Sequence, residues 1–79
     1  MLYIKEFLNK IKWDKNLNKE DFVIHYLDNV SKQLVPLNFN DIIRIEGTFM
    51  VVDKDTEETH IPLHRIKKVY EKGIVVWKR

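Results

Sequence analysis

The hydrophobic period of the chain changes after its first thirteen residues, and this change restricts the fold more than any other feature. Ile4, Phe7, Leu8 and Ile11 recur at the spacing i, i+3, i+4, i+7, which is the apolar face of one α-helix. From residue 21 onward the period is two, in short segments rich in β-branched and aromatic residues. One helix followed only by strands predicts an α+β fold without βαβ units.

The helix is predicted over residues 2–13, because the polar residues 14–18 compete with a continuing helix. About six short strands are predicted, at residues 21–28, 33–37, 41–46, 49–53, 59–71 and 74–79. Pro36 restricts the second strand to an edge or a bulge, and the fifth is expected to bend at Pro62. Residues 29–32 and 72–73 are predicted hairpin connections. The expected architecture is a helix packed on a curled, mostly antiparallel, barrel-like sheet, in one domain spanning residues 1–79.

Composition excludes several classes of protein. The chain has 79 residues and no cysteine, so disulfides and thiolate metal sites are excluded. The amphipathic first thirteen residues carry charges every few positions, which argues against a signal peptide and against a membrane span. We therefore expect a cytoplasmic protein that does not contact membranes. No glycine-rich phosphate loop and no internal repeat are found in the sequence.

The net charge of +2 conceals a segregated pattern. Residues 1–20 carry five basic against three acidic residues, a net charge of +2. Residues 21–60 carry three against eight, or −5, and residues 61–79 carry six against one, or +5. Two basic segments around an acidic one make nucleic acid a candidate partner, although lopsided charge is also common in small domains without one.

Histidine offers two kinds of chemistry, and the spacing supports neither strongly. His60 and His64 would share a helix face, but Pro62 lies between them, and in a strand they would lie about 13 Å apart. No further ligand cluster accompanies them, so we expect no metal and no cofactor. A pair drawn from His25, His60 and His64 could act as the acid and base of a phosphodiesterase. Nothing in the spacing selects such a pair, and His25 fits a half-buried position in a sheet.

Cations beside aromatic residues are more informative. Residues 12–14 (Lys-Trp-Asp) end the helix, and residues 77–79 (Trp-Lys-Arg) end the last predicted strand. Indole rings can stack on bases while Lys and Arg hold phosphate, although tryptophan most often fills a core. Arg44 lies between isoleucines and must extend to solvent, pair with an acid such as Glu46, or line a groove. His64 and Arg65 together could bind phosphate through a guanidinium and an imidazole.

The order of these segments resembles a known family. FLNKIKWD, an N-x-N-x-x-D-F segment, I-R-I-E-G, and IPLHRIKKV followed by G-x-V-V-W-K-R are similar to the small archaeal RNA cyclic-group end recognition domain. The resemblance covers residues 2–79. It implies an α+β module that recognises RNA ends carrying a 2′,3′-cyclic phosphate, with RNA-processing enzymes as further partners.

Carried over position by position, the resemblance implies that RNA or phosphate is bound by a set of six residues. These are Lys12, Trp13, Arg44, His64, Arg65 and Lys78. A binding module without catalytic residues is favoured. Two alternatives stay open: a small phosphoesterase or RNase acting on such ends through His64 and another histidine, and a protein-interaction module with basic ends.

Overall fold

The computed structural model describes residues 3–79, and its single α-helix, α1, runs over Ile4–Trp13. The predicted start of this helix at residue 2 lies outside the described residues. Ile4, Leu8 and Ile11 are buried, as their spacing predicts, and Phe7 packs against the same core. Lys10 and Lys12 lie in the last turn, where positive charge interacts favourably with the negative end of the helix dipole.

Seven strands follow in the described part of the chain. They are β1 (Phe22–Leu27), β2 (Leu34–Asn38), β3 (Ile42–Glu46), β4 (Phe49–Lys54), β5 (Glu57–Pro62), β6 (Ile66–Glu71) and β7 (Ile74–Lys78). The first sheet has the order β2-β1-β6-β7 and the second the order β3-β4-β5, with antiparallel neighbours throughout. The α+β class is confirmed. The prediction of one barrel-like sheet is wrong, because these residues form two separate sheets and neither closes.

Two short 3-10 helices explain why there are two sheets. Phe39–Asp41 joins β2 to β3, and Leu63–Arg65 joins β5 to β6. We call Leu63–Arg65 the corner. A 3-10 turn directs the backbone hydrogen bonds of its residues along the chain, which interrupts strand pairing at that point. Residues 59–71 are therefore two strands in different sheets, and the predicted bend at Pro62 is a change of sheet.

The helix and the inner faces of both sheets share one hydrophobic core. The first sheet contributes Phe22, Ile24 and Tyr26 from β1, and the second contributes Met50 and Val52 from β4. Trp77 of β7 is also buried in this core. Pro36 lies on β2 at the edge of the first sheet, as predicted, where its missing N–H costs no ladder hydrogen bond.

The hairpin turns contain residues with positive φ angles, and in one turn such a residue is the β-branched Thr56. Lys72 and Gly73 connect β6 to β7 with φ of 50° and 81°, which confirms the predicted turn. Between β4 and β5, Asp55 and Thr56 have φ of 53° and 66°. A β-branched residue in the left-handed region is strained by contact between its side chain and its own backbone.

We expect Thr56→Gly to stabilise the protein by roughly 0.5–1 kcal/mol, because it removes a left-handed strain of about 1–2 kcal/mol and adds a smaller entropic cost. For a domain of this size the melting temperature should rise by about 2–8 °C. Thr59→Gly is the control, since Thr59 lies inside β5 and glycine weakens a strand. Thermal melting followed by circular dichroism measures both, and an unchanged or lower melting temperature of Thr56→Gly would contradict the strain.

Among residues 3–79, no helix is both long enough and apolar enough to cross a membrane.

Candidate functional site

The polar side chains of the corner face outward because the apolar residues beside them are buried in the core. Leu63 and Ile66, on either side of the His64-Arg65 pair, are buried. His64 is exposed and Arg65 is half-buried. The backbone N–H of Leu63 donates to Thr48 O at 2.9 Å, which ties the corner to the turn between β3 and β4. The sequence Leu-His-Arg-Ile therefore places an imidazole and a guanidinium at a fixed point between the two sheets.

Arg79 fixes the corner from the other side. Its Nε donates to Ile66 O at 2.8 Å and its Nη2 donates to Leu63 O at 3.2 Å. Its guanidinium carbon lies 5.1 Å from the centroid of the Trp77 ring, a cation–π contact. These partners are neutral, so they orient the guanidinium without cancelling its charge. A guanidinium has five N–H donors, and these two hydrogen bonds use two of them.

Arg79 and His64 line a cleft of 490 Å³ that we call the corner cleft. Its lining consists of Ile4, Lys5, Gly47, Thr48, Leu63, His64 and Arg79. Two of these residues, Lys5 and Arg79, are cations, His64 carries an imidazole and Thr48 a hydroxyl, and none of the seven is Asp or Glu. A surface of this composition attracts an anion and offers it directional donors.

A second cleft of 240 Å³, the helix-end cleft, lies at the other end of α1. It is lined by Lys12, Lys19, Phe39, Asn40, Ile42, Ile43, Arg44 and Ile45. Trp13 follows Lys12 in the sequence, and 74% of its surface is exposed. Lys12 Nζ lies 5.5 Å from the centroid of the Trp13 ring. A smaller cleft of 170 Å³ contains Asp14 and Glu71, whose negative charge makes it unsuited to phosphate.

Arg44 differs from the other cations because carboxylates neutralise it. Its Nε donates to Glu46 Oε1 at 2.6 Å, and its Nη2 lies 3.4 Å from Glu58 Oε1. The hydrogen bond from Arg44 holds the pKa of Glu46 below its ordinary value, and the same hydrogen bond raises the pKa of Arg44. The three residues lie on the outer face of the second sheet, where His60 Nε2 is 3.9 Å from Glu46 Oε2. The sequence offers three alternatives for Arg44, and the structure shows two of them. Arg44 pairs with Glu46, and Arg44 also lines the helix-end cleft.

The six residues singled out from the sequence do not share one cleft. Lys12 and Arg44 line the helix-end cleft, whereas His64 lines the corner cleft. Lys5 lines the corner cleft and Lys12 lines the helix-end cleft. The two lysines are seven positions apart on α1, which is a distance of about 10 Å along the helix axis. Lys78 lies on β7 opposite Lys68, on the outer face of the first sheet. Arg65 lies beside His64 in the corner. Their contact with RNA stays a prediction.

The three histidines lie on three different surfaces. His25 is on β1 and its ring is 4.6 Å from that of Tyr70, both on the outer face of the first sheet. His60 is on the outer face of the second sheet, and His64 is in the corner. No group of three or more metal-ligating His, Asp or Glu side chains is found within residues 3–79.

The six predicted residues leave out Arg79, Lys5 and Thr48, although Arg79 belongs to the Trp-Lys-Arg segment singled out in the sequence. A signal for Arg79 was available, because side chains two apart on a strand face the same way and Trp77 is the obvious inward residue of β7. That alternation directs Lys78 outward and Arg79 toward the corner. Lys5 and Thr48 carry no such signal, since only the packing of α1 beside the β3–β4 turn brings them to the cleft.

Comparison with known proteins identifies the family of the chain. The sequence model of the MJ1316 RNA cyclic group end recognition domain matches residues 1–79. The chain belongs to this family. A UPF0248 protein of Methanococcus maripaludis is 39% identical, covering 96% of this chain and 97% of the relative. A UPF0248 protein of Metallosphaera sedula is 36% identical over 96% and 91% of the two chains, and one of Saccharolobus islandicus is 29% identical over 96% and 98%. No solved structure matches the chain. The resemblance found in the sequence is thereby confirmed.

Proposed function

We propose that this protein binds RNA termini that carry a 2′,3′-cyclic phosphate, without cleaving them, and that the corner cleft holds the phosphate. The observation that carries the proposal is the lining of this cleft, which contains Lys5, His64 and a pre-oriented Arg79 and no Asp or Glu among its described residues. The name of the family points to the same ligand.

The chemistry of a cyclic phosphate suits such a cleft. The ring phosphate carries one negative charge, so directional hydrogen bonds must contribute more to selectivity than bulk charge does. A guanidinium can donate two parallel hydrogen bonds to the non-bridging oxygens, and the imidazole of His64 can donate one more. Because Leu63 O and Ile66 O already hold Arg79, little side-chain entropy is lost when the ligand binds.

The other predicted residues have different parts in this proposal. Arg65, beside His64, supplies a second guanidinium at the corner, and Lys12 with the exposed Trp13 contacts the nucleotide at the far end of α1. Stacking on an exposed indole is independent of the base identity. Arg44 would first have to leave Glu46 and Glu58, so we propose that it stays in its ion pairs and takes no direct part.

The distribution of the histidines favours binding over cleavage. A phosphodiesterase of the two-histidine type needs an acid and a base on opposite sides of one phosphate. His25, His60 and His64 lie on separate surfaces, so no two of them flank the corner cleft. His64 is therefore assigned a hydrogen-bonding role.

Short RNAs of one sequence that end in a 2′,3′-cyclic phosphate, a 3′-phosphate or a 3′-hydroxyl test the function directly. We expect the cyclic end to bind about tenfold or more tightly than the hydroxyl end, since hydrogen bonds to a charged group contribute about 1.5–3 kcal/mol each. Fluorescence anisotropy gives the affinities, and chromatography of the RNA after long incubation shows whether it has been cleaved.

The variant His64→Ala should lose about 5- to 10-fold of the preference for the cyclic end. His60→Ala, a matched change on the outer face of the second sheet, should retain it. Equal affinity of the wild type for all three ends would refute end recognition, and turnover of the cyclic end would instead make the protein an enzyme.

A further inference from the structure

The outer face of the first sheet is uncovered in the part of the chain that the structure describes. The strand register aligns two rows of side chains across all four strands of this face. One row is Asn38, Val23, Tyr70 and Val75, and the other is Pro36, His25, Lys68 and Lys78. We call these eight residues the platform. All of them are exposed or half-buried, and the core lies on the opposite face of the sheet.

The centre of the platform is an aromatic pair. The rings of His25 and Tyr70 lie 4.6 Å apart with an interplanar angle of 45°. They occupy diagonal positions on neighbouring strands, a separation that rings can bridge. Val23 and Val75 flank Tyr70 in its row, so the pair lies on an apolar floor. Flat π-surfaces on an open sheet are what unpaired bases stack on.

The charge of the platform indicates a polyanion as its partner. Lys68 and Lys78 are directly opposite each other at one end of the second row, and none of the eight residues is acidic. The outer face of the second sheet shows the contrast. It carries an aromatic pair too, Phe49 and His60, but this pair lies among Glu46, Glu58 and Arg44, which include two carboxylates and one cation and so do not attract a polyanion.

We propose that the platform binds single-stranded RNA, with bases stacked on His25 and Tyr70 and phosphates held by Lys68 and Lys78. The platform adjoins the corner cleft, because Lys78 and Arg79 are consecutive and the Arg79 N–H donates to Lys67 O at 3.1 Å. An RNA whose terminus is in the cleft thus continues across β7 onto the platform. This continuity depends on the proposed function, whereas the stacking surface does not.

Two RNAs ending in a cyclic phosphate, one of two nucleotides and one of ten, separate the platform from the cleft. The wild type should bind the longer RNA more tightly. His25→Ala and Tyr70→Ala should each weaken binding of the longer RNA about tenfold, a typical effect of removing one stacking ring, and leave the shorter one within twofold. Phe49→Ala and His60→Ala, on the second sheet, are the controls and should change neither affinity. Circular dichroism verifies that each variant is folded.

Lys78→Gln provides a test that does not perturb the apolar floor, since Lys78 is exposed. Removing one phosphate contact should reduce the slope of log affinity against log salt by about 0.7 for single-stranded RNA. Lys54→Gln, on the second sheet, should leave the slope unchanged.

The outcomes for the platform and for end recognition are distinct. If the platform variants weaken the ten-nucleotide RNA whatever its terminus, and the wild type does not distinguish termini, the platform stands and end recognition fails. If the wild type selects cyclic ends but binds both lengths equally, the platform is overturned. Equal losses in the platform variants and their second-sheet controls also overturn it, as does an absence of RNA binding by the wild type.

Discussion

Leu8→Ala should remove a large part of the free energy of unfolding of the protein. Leu8 is fully buried, at 0% exposure, where α1 packs on the core shared by the two sheets. Loss of its side chain costs about 3–5 kcal/mol, because a cavity remains when the surrounding strands cannot close on it. A chain of this length has a total stability of only about 4–12 kcal/mol. Urea denaturation followed by circular dichroism measures the change in the free energy of unfolding.

Leu34→Ala is the matched control for this change. Leu34 is on the edge strand β2 and is 42% exposed, so its truncation should cost below about 1 kcal/mol. Similar losses of stability in the two variants would contradict the assignment of α1 as a part of the core.

Arg79→Met should weaken binding of RNA with a cyclic phosphate end by about 30-fold or more. The change removes a cation from the corner cleft, along with the two hydrogen bonds that hold Leu63–Arg65 in place. Hydrogen bonds to charged groups contribute about 1.5–3 kcal/mol each, and the free carbonyls add a desolvation cost. Arg79→Lys should recover little of the affinity, because an ammonium group cannot reproduce the planar fork.

Lys72→Met removes the same charge from the turn between β6 and β7, where Lys72 Nζ lies 3.8 Å from Asp21 Oδ2. Anisotropy titrations of both variants at one salt concentration compare them. A loss in Lys72→Met as large as that in Arg79→Met would mean that net charge, and not the geometry of the corner, governs binding.

Much of the local structure could be predicted because it depends on neighbouring residues. The spacing of Ile4, Leu8 and Ile11 predicts the buried face of α1, and Pro36 predicts an edge strand. Lys72-Gly73 predicts a hairpin turn. The prediction of a single barrel-like sheet was wrong because the 3-10 turn at residues 63–65 looks in sequence like part of one continuous strand over residues 59–71.

The position of the candidate site was only partly predictable. His64-Arg65 stood out because two polar residues interrupt an apolar segment, and they do lie at an exposed corner. Arg44 stood out for a similar reason, yet its partners Glu46 and Glu58 neutralise it, and the second of these comes from another strand. Arg79 belongs to the Trp-Lys-Arg segment noted in the sequence but was left out of the six predicted residues, although its alternation with Trp77 directs it to the core side of β7.

The sequence by itself determined the single helix, the position of most strands, which side chains share a face within them, and the family to which the chain belongs. These properties follow from local periodicity and from the order of short motifs. Only the tertiary structure decided that His64 shares a cleft with Lys5 and Arg79 while Lys12 lines another, and that His25 meets Tyr70 on an open face. The physical reason is that periodicity fixes the direction of a side chain relative to its own element, whereas contacts between elements depend on how the helix and two sheets pack.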